Sequence, residues 1–387
     1  MHISASTIYN SVFFSGTMII ILYLLLKNWK VVGKIRFQLL FFCLALIVIR
    51  LLIPVEYFFT VTLFSRHILT VVNDILYYTV WSVAGYDILI CHLLFVIWII
   101  GSIARLCKVL YTYFSLQRSI QRAKSIEDFP ILQNILSDIT DKQKSKKRFR
   151  EVLIPYLSTP MITGILHPCI FLPDVDLSEE ELTFILKHET SHYFHGDLLI
   201  KSVIEILIVI YWWNPFIYLL EKQVSKVLEI HTDMRITKNL SELEQICYLE
   251  CLVNTAKRHS EASITPLSAS FIGNHTTALT QRVNIILNQQ KVKETEKFLA
   301  SLSLLPLFII ALLSFCVIFE ARFPSPVTDE YGNVPISLTE DNVYLIPNAS
   351  QGYDIYHNGE FFSTISSPDS LGIDLPIYSE KEDNTYE

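Results

Sequence analysis

Residues 177–194 read Leu-Ser-Glu-Glu-Glu-Leu-Thr-Phe-Ile-Leu-Lys-His-Glu-Thr-Ser-His-Tyr-Phe. Ser178 followed by Glu181 is a capping box, the reciprocal side-chain arrangement that starts a helix. Leu182, Ile185 and Leu186 follow at helical spacing, so the stretch predicts a helix carrying His188-Glu189-Thr190-Ser191-His192, an HExxH motif. Residues four apart share a helical face, so both imidazoles can reach one zinc ion. Glu189 stands beside them, placed to take a proton from a zinc-bound water whose pKa falls to about 7.

A His-His site needs a third ligand, and the next helix offers one. Asn214-Pro215 predicts a helix start, with Asn as cap and Pro in the first turn. Ile217, Leu220, Val224 and Leu228 continue it, and Glu229 and Asp233 share a face. Glu229 would complete a His-His-Glu site that leaves a fourth position for water. Asp233 would accept a hydrogen bond from the far nitrogen of a zinc-bound histidine and set its tautomer. Glu205, His195 and His231 are alternative ligands on the same reading.

Composition places this motif in an unusual chain. Of 387 residues, 51% are hydrophobic and 18% charged, against roughly 25% charged in soluble domains. The net charge of −7 carries no basic excess, which argues against direct nucleic-acid binding. The seven cysteines form no CxxC pair, and Cys247 and Cys251, four apart, read as apolar thiols on a helix. The apolar residues are gathered at 7–26, 37–55, 85–106 and 298–319, each long enough for a bilayer core of roughly 30 Å, with Pro306 as an expected kink. A further run, 198–220, reads as a buried helix, a re-entrant segment or a fifth span.

Lys27, Lys30, Lys34 and Arg36 place the first loop in the cytoplasm. The N-terminus and the loop at 56–84 then lie outside. The expected organisation is three transmembrane helices in 1–106, a mainly α (α+β) cytoplasmic domain in 107–297, a fourth helix at 298–319 and an extracellular tail at 320–387. The tail holds 13 acidic and 2 basic side chains, a net of −11. The basic run from Lys142 to Arg150 reads as a loop facing the anionic inner leaflet. Arg50 and Asp87, both near outer helix ends, read as an ion pair across the membrane helices or as two snorkelling charges. Tyr57, Phe58, Phe59, Tyr77, Tyr78 and Trp81 suit a segment at the outer interface.

Residues 153–288 resemble the bacterial membrane metallopeptidase family of the BlaR/MecR antibiotic sensor-transducers. The resemblance is carried by Thr159-Pro160, Gly164, His167-Pro168-Cys169-Ile170-Phe171-Leu172-Pro173, the HExxH with Asp197, Trp212-Trp213-Asn214-Pro215 and Glu229-xxx-Asp233. Phe271, Gly273, Leu279, Arg282 and Ile286 complete it. It implies a multipass protein with a gluzincin-like domain, in which Zn2+ is held by His188, His192 and Glu229. Glu189 is then the catalytic base and Asp233 lies behind the ligands. It also implies peptide-bond cleavage in a cytoplasmic transcriptional repressor, in the chain itself, or in both. The polar segment 260–277 reads as an exposed loop, and the resemblance places self-cleavage there, near Ser270 and Phe271. Pro160, Gly164, Pro168 and Pro173 would punctuate strands at the cleft, where a substrate strand adds by backbone pairing.

Two departures are His231-Thr232, where the family often has Ala-Cys, and Tyr193-Phe194-His195-Gly196, where it often has basic residues. No SxxK occurs after the last span, so the family's penicillin-binding sensor and acylation by a β-lactam are not expected in these residues. Asn358-Gly359 predicts a hairpin in the tail. Two other readings use the same residues: a receptor in which zinc is structural, and an HtpX-type quality-control protease. The Trp-Trp-Asn-Pro and Gly164…Pro168…Pro173 motifs favour the sensor-transducer resemblance over the second.

Overall fold

A computed structural model describes residues 5–55, 57–65, 68–83, 86–122, 130–145, 147–154, 157, 159–262, 269–289, 292–321, 327–328, 335–336, 343–348, 352–357, 359–368 and 375–378. The chain begins with helices α1 (Ala5–Lys27), α2 (Trp29–Val32) and α3 (Phe37–Leu52). Strand β1 (Val61–Ser65), helix α4 (Ile68–Leu76) and the hairpin β2 (Thr79–Val83) and β3 (Tyr86–Leu89) follow, leading into α5 (Ile90–Arg122). Next come α6 (Pro130–Lys142), β4 (Arg150–Ile154), β5 (Met161–Thr163), β6 (Cys169–Pro173), α7 (Glu179–Phe194), α8 (Asp197–Ile210) and α9 (Pro215–Thr237). Helices α10 (Glu242–Ala262), α11 (Ala269–Asn288), α12 (Glu294–Leu302) and α13 (Leu305–Cys316) precede β7 (Val317–Ala321). The tail holds β8 (Val327–Thr328), β9 (Pro335–Ile336), β10 (Val343–Pro347), β11 (Tyr353–His357) and β12 (Glu360–Ile365).

The chain divides into two units, Met1–Thr60 with Leu94–Cys316, and Val61–Leu93 with Val317–Glu387. Among the described residues three helical stretches are long and apolar enough to cross a bilayer: Ser6–Lys27, Ile90–Arg118 and Glu294–Cys316. The apolar helix at 37–55 ends at Leu52 and is shorter, at 16 residues. Two expected spans differ in kind at their ends. Residues 86–89 are strand because Tyr86, Asp87 and Ile88 pair with β2, and Asp87 accepts the Ser82 hydroxyl. Residues 317–319 are strand because Val317-Ile318-Phe319 pairs in parallel with β1. The last apolar stretch breaks at Ser303-Leu304, and Pro306 sits in the first turn of the restarted helix, where its missing N–H costs nothing.

In the first unit, Met18, Leu22 and Leu26 of α1, Leu40 and Ile47 of α3, and Leu307 of α13 share one buried core with Leu207, Ile217 and Leu220. The last three belong to the helical hairpin α8–α9, so the run at 198–220 is a helix, a turn and the start of a second helix, with one face in this core and Leu199, Ile206 and Trp213 exposed. Asn214 caps its second helix through Phe216 N at 3.0 Å, with Pro215 at the first position. Arg50 is also inside, 1% exposed. Its Nε donates to Ser314 Oγ at 2.7 Å and its guanidinium lies over the Phe315 ring, so Arg50 and Asp87 are each satisfied within their own unit.

A second core joins Ile162, Ile170 and Leu172 of a three-stranded sheet to Phe184, Ile185 and Leu186 of α7 and to Tyr248 and Ile286. The sheet order is β4-β6-β5, parallel then antiparallel, with β6 wholly buried and β5 at an edge. Gly164 turns β5 toward β6 at φ +88°, and a Cβ there would lie 2.3 Å from the His167 carbonyl, so only glycine fits. The expected loop at 260–277 is helical on both described sides, through Ala262 and again from Ala269. Of the described parts, α10 contacts α7 and α11 contacts α9; residues 263–268, Pro266 among them, lie outside the described residues. The backbone of Ser270 and Phe271 is in the first turn of α11; their side chains are outside the described residues.

In the second unit, β1–β7 and β2–β3 form two small sheets, and β10–β11–β12 an antiparallel one around Val343, Leu345 and Ile355. The hairpin β11–β12 turns at Gly359, φ +83°, where Asn-Gly predicts it.

Candidate metal centre

The capping box forms as read: Ser178 Oγ accepts from Glu181 N, and the Glu181 carboxylate accepts from Ser178 N. It launches α7 so that His188 and His192 project from consecutive turns toward α9. The two Nε2 atoms stand 3.2 Å apart. Glu229 on α9 presents Oε2 at 3.3 Å from His188 Nε2 and Oε1 at 3.5 Å from His192 Nε2. Zinc bonds of roughly 2.0–2.1 Å at tetrahedral angles separate ligand atoms by about 3.3–3.4 Å. The observed separations of 3.2, 3.3 and 3.5 Å lie close to that, with Glu229 turning one oxygen to each histidine, so the donor set is compatible with a zinc ion. These three residues are the group that meets metal-ligand spacing among the described residues. Of the alternative ligands, His231 stacks on Phe37 at 5.0 Å and His195 bonds Ser191 O at 2.7 Å, so both are engaged elsewhere.

Each imidazole is held from behind. His192 Nδ1 lies 2.6 Å from Asp197 Oδ2, both buried. Asp197 is placed by the sharp turn at Gly196, φ +76°, which leaves only His195 and Gly196 between the end of α7 and the start of α8. Thr232 Oγ1 lies 3.4 Å from the same His192 nitrogen, so one departure from the resembled pattern lies beside this pair. His188 Nδ1 meets the Tyr248 hydroxyl at 2.9 Å. Asp233, read from sequence as the direct acceptor, is 3.6 Å from that nitrogen, outside hydrogen-bond range. Tyr248 stands between them, donating to Asp233 Oδ1 at 2.6 Å. Arg282 then grips Asp233 with two bonds of 2.6 and 2.8 Å and reaches Glu229 Oε2 at 3.4 Å.

The charges follow from this packing. Burial opposes ionisation of Glu229, but the hydrogen bond and charge of His188, with Arg282 and His192, hold its carboxyl well below the usual range. Burial likewise opposes a charged His188, and Glu229, Asp233 and Glu189 outweigh it, raising its pKa. Glu189 is pushed up by burial, against the pull of the two histidines. His231 is half-buried against Phe37 and Phe41, which lowers its pKa to about 4.

Sequence reasoning missed Tyr248 altogether and left Asp197 and Arg282 without roles. Tyr248 lies 60 positions from His188 and sits in no local pattern. Asp197 did carry a signal, a lone acid just beyond a glycine that ends the motif helix.

The sequence profile of the BlaR1 peptidase M56 family matches residues 15–286. The chain is 25% identical over 203 residues to "Regulatory protein BlaR1" of Bacillus licheniformis, covering 51% of this chain and 33% of that one. It is 24% identical over 205 residues to "Methicillin resistance mecR1 protein" of Staphylococcus aureus and of Staphylococcus epidermidis, covering 51% of this chain and 34% of each. These matches span about a third of the length of the curated relatives.

Proposed function

Because the chain belongs to the BlaR1 peptidase M56 family, we propose that it is a multipass membrane zinc endopeptidase that transduces a signal by cutting peptide bonds. The observation that carries the reading is the convergence of His188, His192 and Glu229, whose separations of 3.2 to 3.5 Å are compatible with a shared metal ion. Bound zinc would polarise the scissile carbonyl and acidify a water. Glu189 would take the proton of that water and pass it to the leaving amide nitrogen. Its upward shift is the direction a general base working near neutrality needs. Glu229 stays an anionic ligand, and Asp197 and Tyr248 orient the imidazoles.

The substrate backbone would pair with the edge of β5 that no strand covers among the described residues, and β5 packs beside α7. Tyr193 fixes the turn after that edge by donating to the Ile165 carbonyl at 3.3 Å. The peptidase domain is cytoplasmic in this reading, with the N-terminus and tail outside. Ion pairs from Lys34 to Glu296 and from Arg36 to Glu294 support it, because they set the start of the last apolar stretch beside the basic first loop. The substrates proposed are a cytoplasmic transcriptional repressor and the chain itself, near Ser270-Phe271; the name "Regulatory protein BlaR1" of one relative supports a regulatory role.

The test is Glu189→Gln in cells, with the repressor and the C-terminal fragment followed by blotting. Loss of both cleavages with zinc retained is expected. Unchanged processing would overturn the peptidase reading in favour of a receptor with structural zinc. Accumulation of misfolded membrane proteins with repressor cleavage intact would turn it toward quality control.

A further inference from the structure

We infer that Tyr248 is a positioning residue that holds His188 in the tautomer whose Nε2 is bare and faces the ligand triangle. The inference rests on the reading of His188 as a metal ligand. It starts from a count of protons. The Tyr248 hydroxyl has two neighbours, Asp233 Oδ1 at 2.6 Å and His188 Nδ1 at 2.9 Å. A phenol has one proton to give. Asp233 is 1% exposed and bound twice by Arg282, at 2.6 and 2.8 Å. Both Asp233 oxygens accept from Arg282, and Oδ1 also accepts the phenol proton. The phenol oxygen then has only lone pairs to offer His188, and Nδ1 must donate. When the imidazole is neutral, the form that can bind a metal, its single N–H is therefore on Nδ1 and Nε2 is bare, 3.2 Å from His192 Nε2 and 3.3 Å from Glu229 Oε2.

The ring is held as firmly as the hydroxyl. Tyr248 is 2% exposed and meets Phe184 edge to face at 5.6 Å. Phe184 lies one turn before His188 on α7, so the phenol travels with the helix that it orients. The two histidines are thus held by different chemistry. His192 gives its proton directly to the Asp197 carboxylate, whereas His188 gives its proton to a neutral oxygen backed by a carboxylate. The same guanidinium that fixes Asp233 also reaches Glu229 at 3.4 Å. Arg282 therefore braces one ligand directly and another through Tyr248.

The experiment uses the full chain in detergent micelles and reads zinc itself, by competition with a chromogenic chelator. Tyr248→Phe keeps the ring and removes the oxygen. It should weaken zinc binding by about 10–100-fold while the metal-free chain unfolds within a few degrees of wild type. Zinc affinity within twofold of wild type would overturn the inference, and so would a loss of metal-free stability without a loss of affinity. A second measurement does not depend on that variant folding. In the metal-free wild-type chain labelled with 15N-histidine, brought to a pH at which His188 has lost its second proton, its shifts should show Nδ1 protonated and Nε2 bare. The reverse tautomer would overturn the inference. A wild-type chain that binds no zinc would instead defeat the peptidase reading, and the labelled tautomer would still decide the role of Tyr248.

Discussion

The Tyr211 hydroxyl donates to the Leu51 carbonyl at 2.7 Å, at the last turn of α3. On the same hairpin Lys226 donates to the Leu26 carbonyl at 2.6 Å, at the last turn of α1. Helices α1 and α3 run antiparallel, since Ser11 near the start of α1 bonds the Arg50 carbonyl near the end of α3, at 2.6 Å. The α8–α9 hairpin therefore reaches from one end of the apolar helix pair to the other, and Glu229 follows Lys226 by one turn.

If α1 and α3 are immersed in lipid, the hairpin tip is too. Tyr211→Phe should then cost about 0.6–2 kcal/mol, the range for interhelical hydrogen bonds in membranes, and leave zinc affinity unchanged. Thermal unfolding in detergent reads the first and chelator competition the second. Trp213, 48% exposed at the tip, gives the depth. Trp213→Cys should resist a polar maleimide added to either side of sealed vesicles and react once detergent is added. Labelling from one side would place the tip in water.

Asp197 is the carboxylate that meets His192 Nδ1, at 2.6 Å, and the pair is buried. Asp197→Asn keeps the shape and removes the charge. Zinc affinity should fall by about 10–100-fold. If the Asp197→Asn chain binds zinc as wild type does, then Thr232, at 3.4 Å from the same nitrogen, suffices to orient the ring.

The His188–Glu229 pair sets a pH dependence whose sign can be worked out. His188 has a raised folded pKa, so its pairing stabilises the metal-free chain fully below the unfolded value of about 6.5 and is lost as pH rises through the folded value. Glu229 is depressed; its contribution is present above the unfolded value of about 4.3 and fades only in strong acid. Zinc competes with the His188 proton, so its affinity should climb through the range in which metal-free stability declines. Unfolding temperatures with and without zinc, taken from pH 5.5 to 8.5, should diverge on the alkaline side. Parallel curves would argue against His188 as a ligand.

What sequence showed and what it hid divide along chain distance. Ser178 with Glu181, Asn214 with Pro215, and the two histidines four apart act within one or two helical turns, so their pattern is in the letters. Glu229 and Asp233 had a shared face but no address until resemblance supplied one. Tyr248, by contrast, reaches His188 across 60 positions, and its partner Asp233 is 15 positions away on another helix. No periodicity encodes that. The helix ends failed for a different reason. Tyr86-Asp87-Ile88 and Val317-Ile318-Phe319 extend apolar runs in the sequence, yet these stretches rich in β-branched and aromatic residues pair as strands where a partner strand is present.

The sign of one substitution tests how α5 is attached to the hairpin. Trp98 Nε1 donates to the Ile210 carbonyl at 2.8 Å, and Trp212 Nε1 returns to the Trp98 carbonyl at 3.3 Å. Gly101, one turn on, faces the Trp212 ring so closely that a Cβ would lie 2.2 Å from it. In an open helix, Gly→Ala stabilises by roughly 0.5–1 kcal/mol because alanine has less backbone freedom to lose. Here the methyl must push the indole aside, breaking its bond to Trp98 and shifting the turn that leads into α9. Gly101→Ala should therefore destabilise by about 1–3 kcal/mol, the usual range for overpacking. Combined with Trp212→Ala, which empties the space, it should cost less than the sum of the two single changes. The coupling should be on the order of 0.5–3 kcal/mol. A stabilising Gly101→Ala, or strict additivity in the double variant, would mean that α5 does not rest on Trp212.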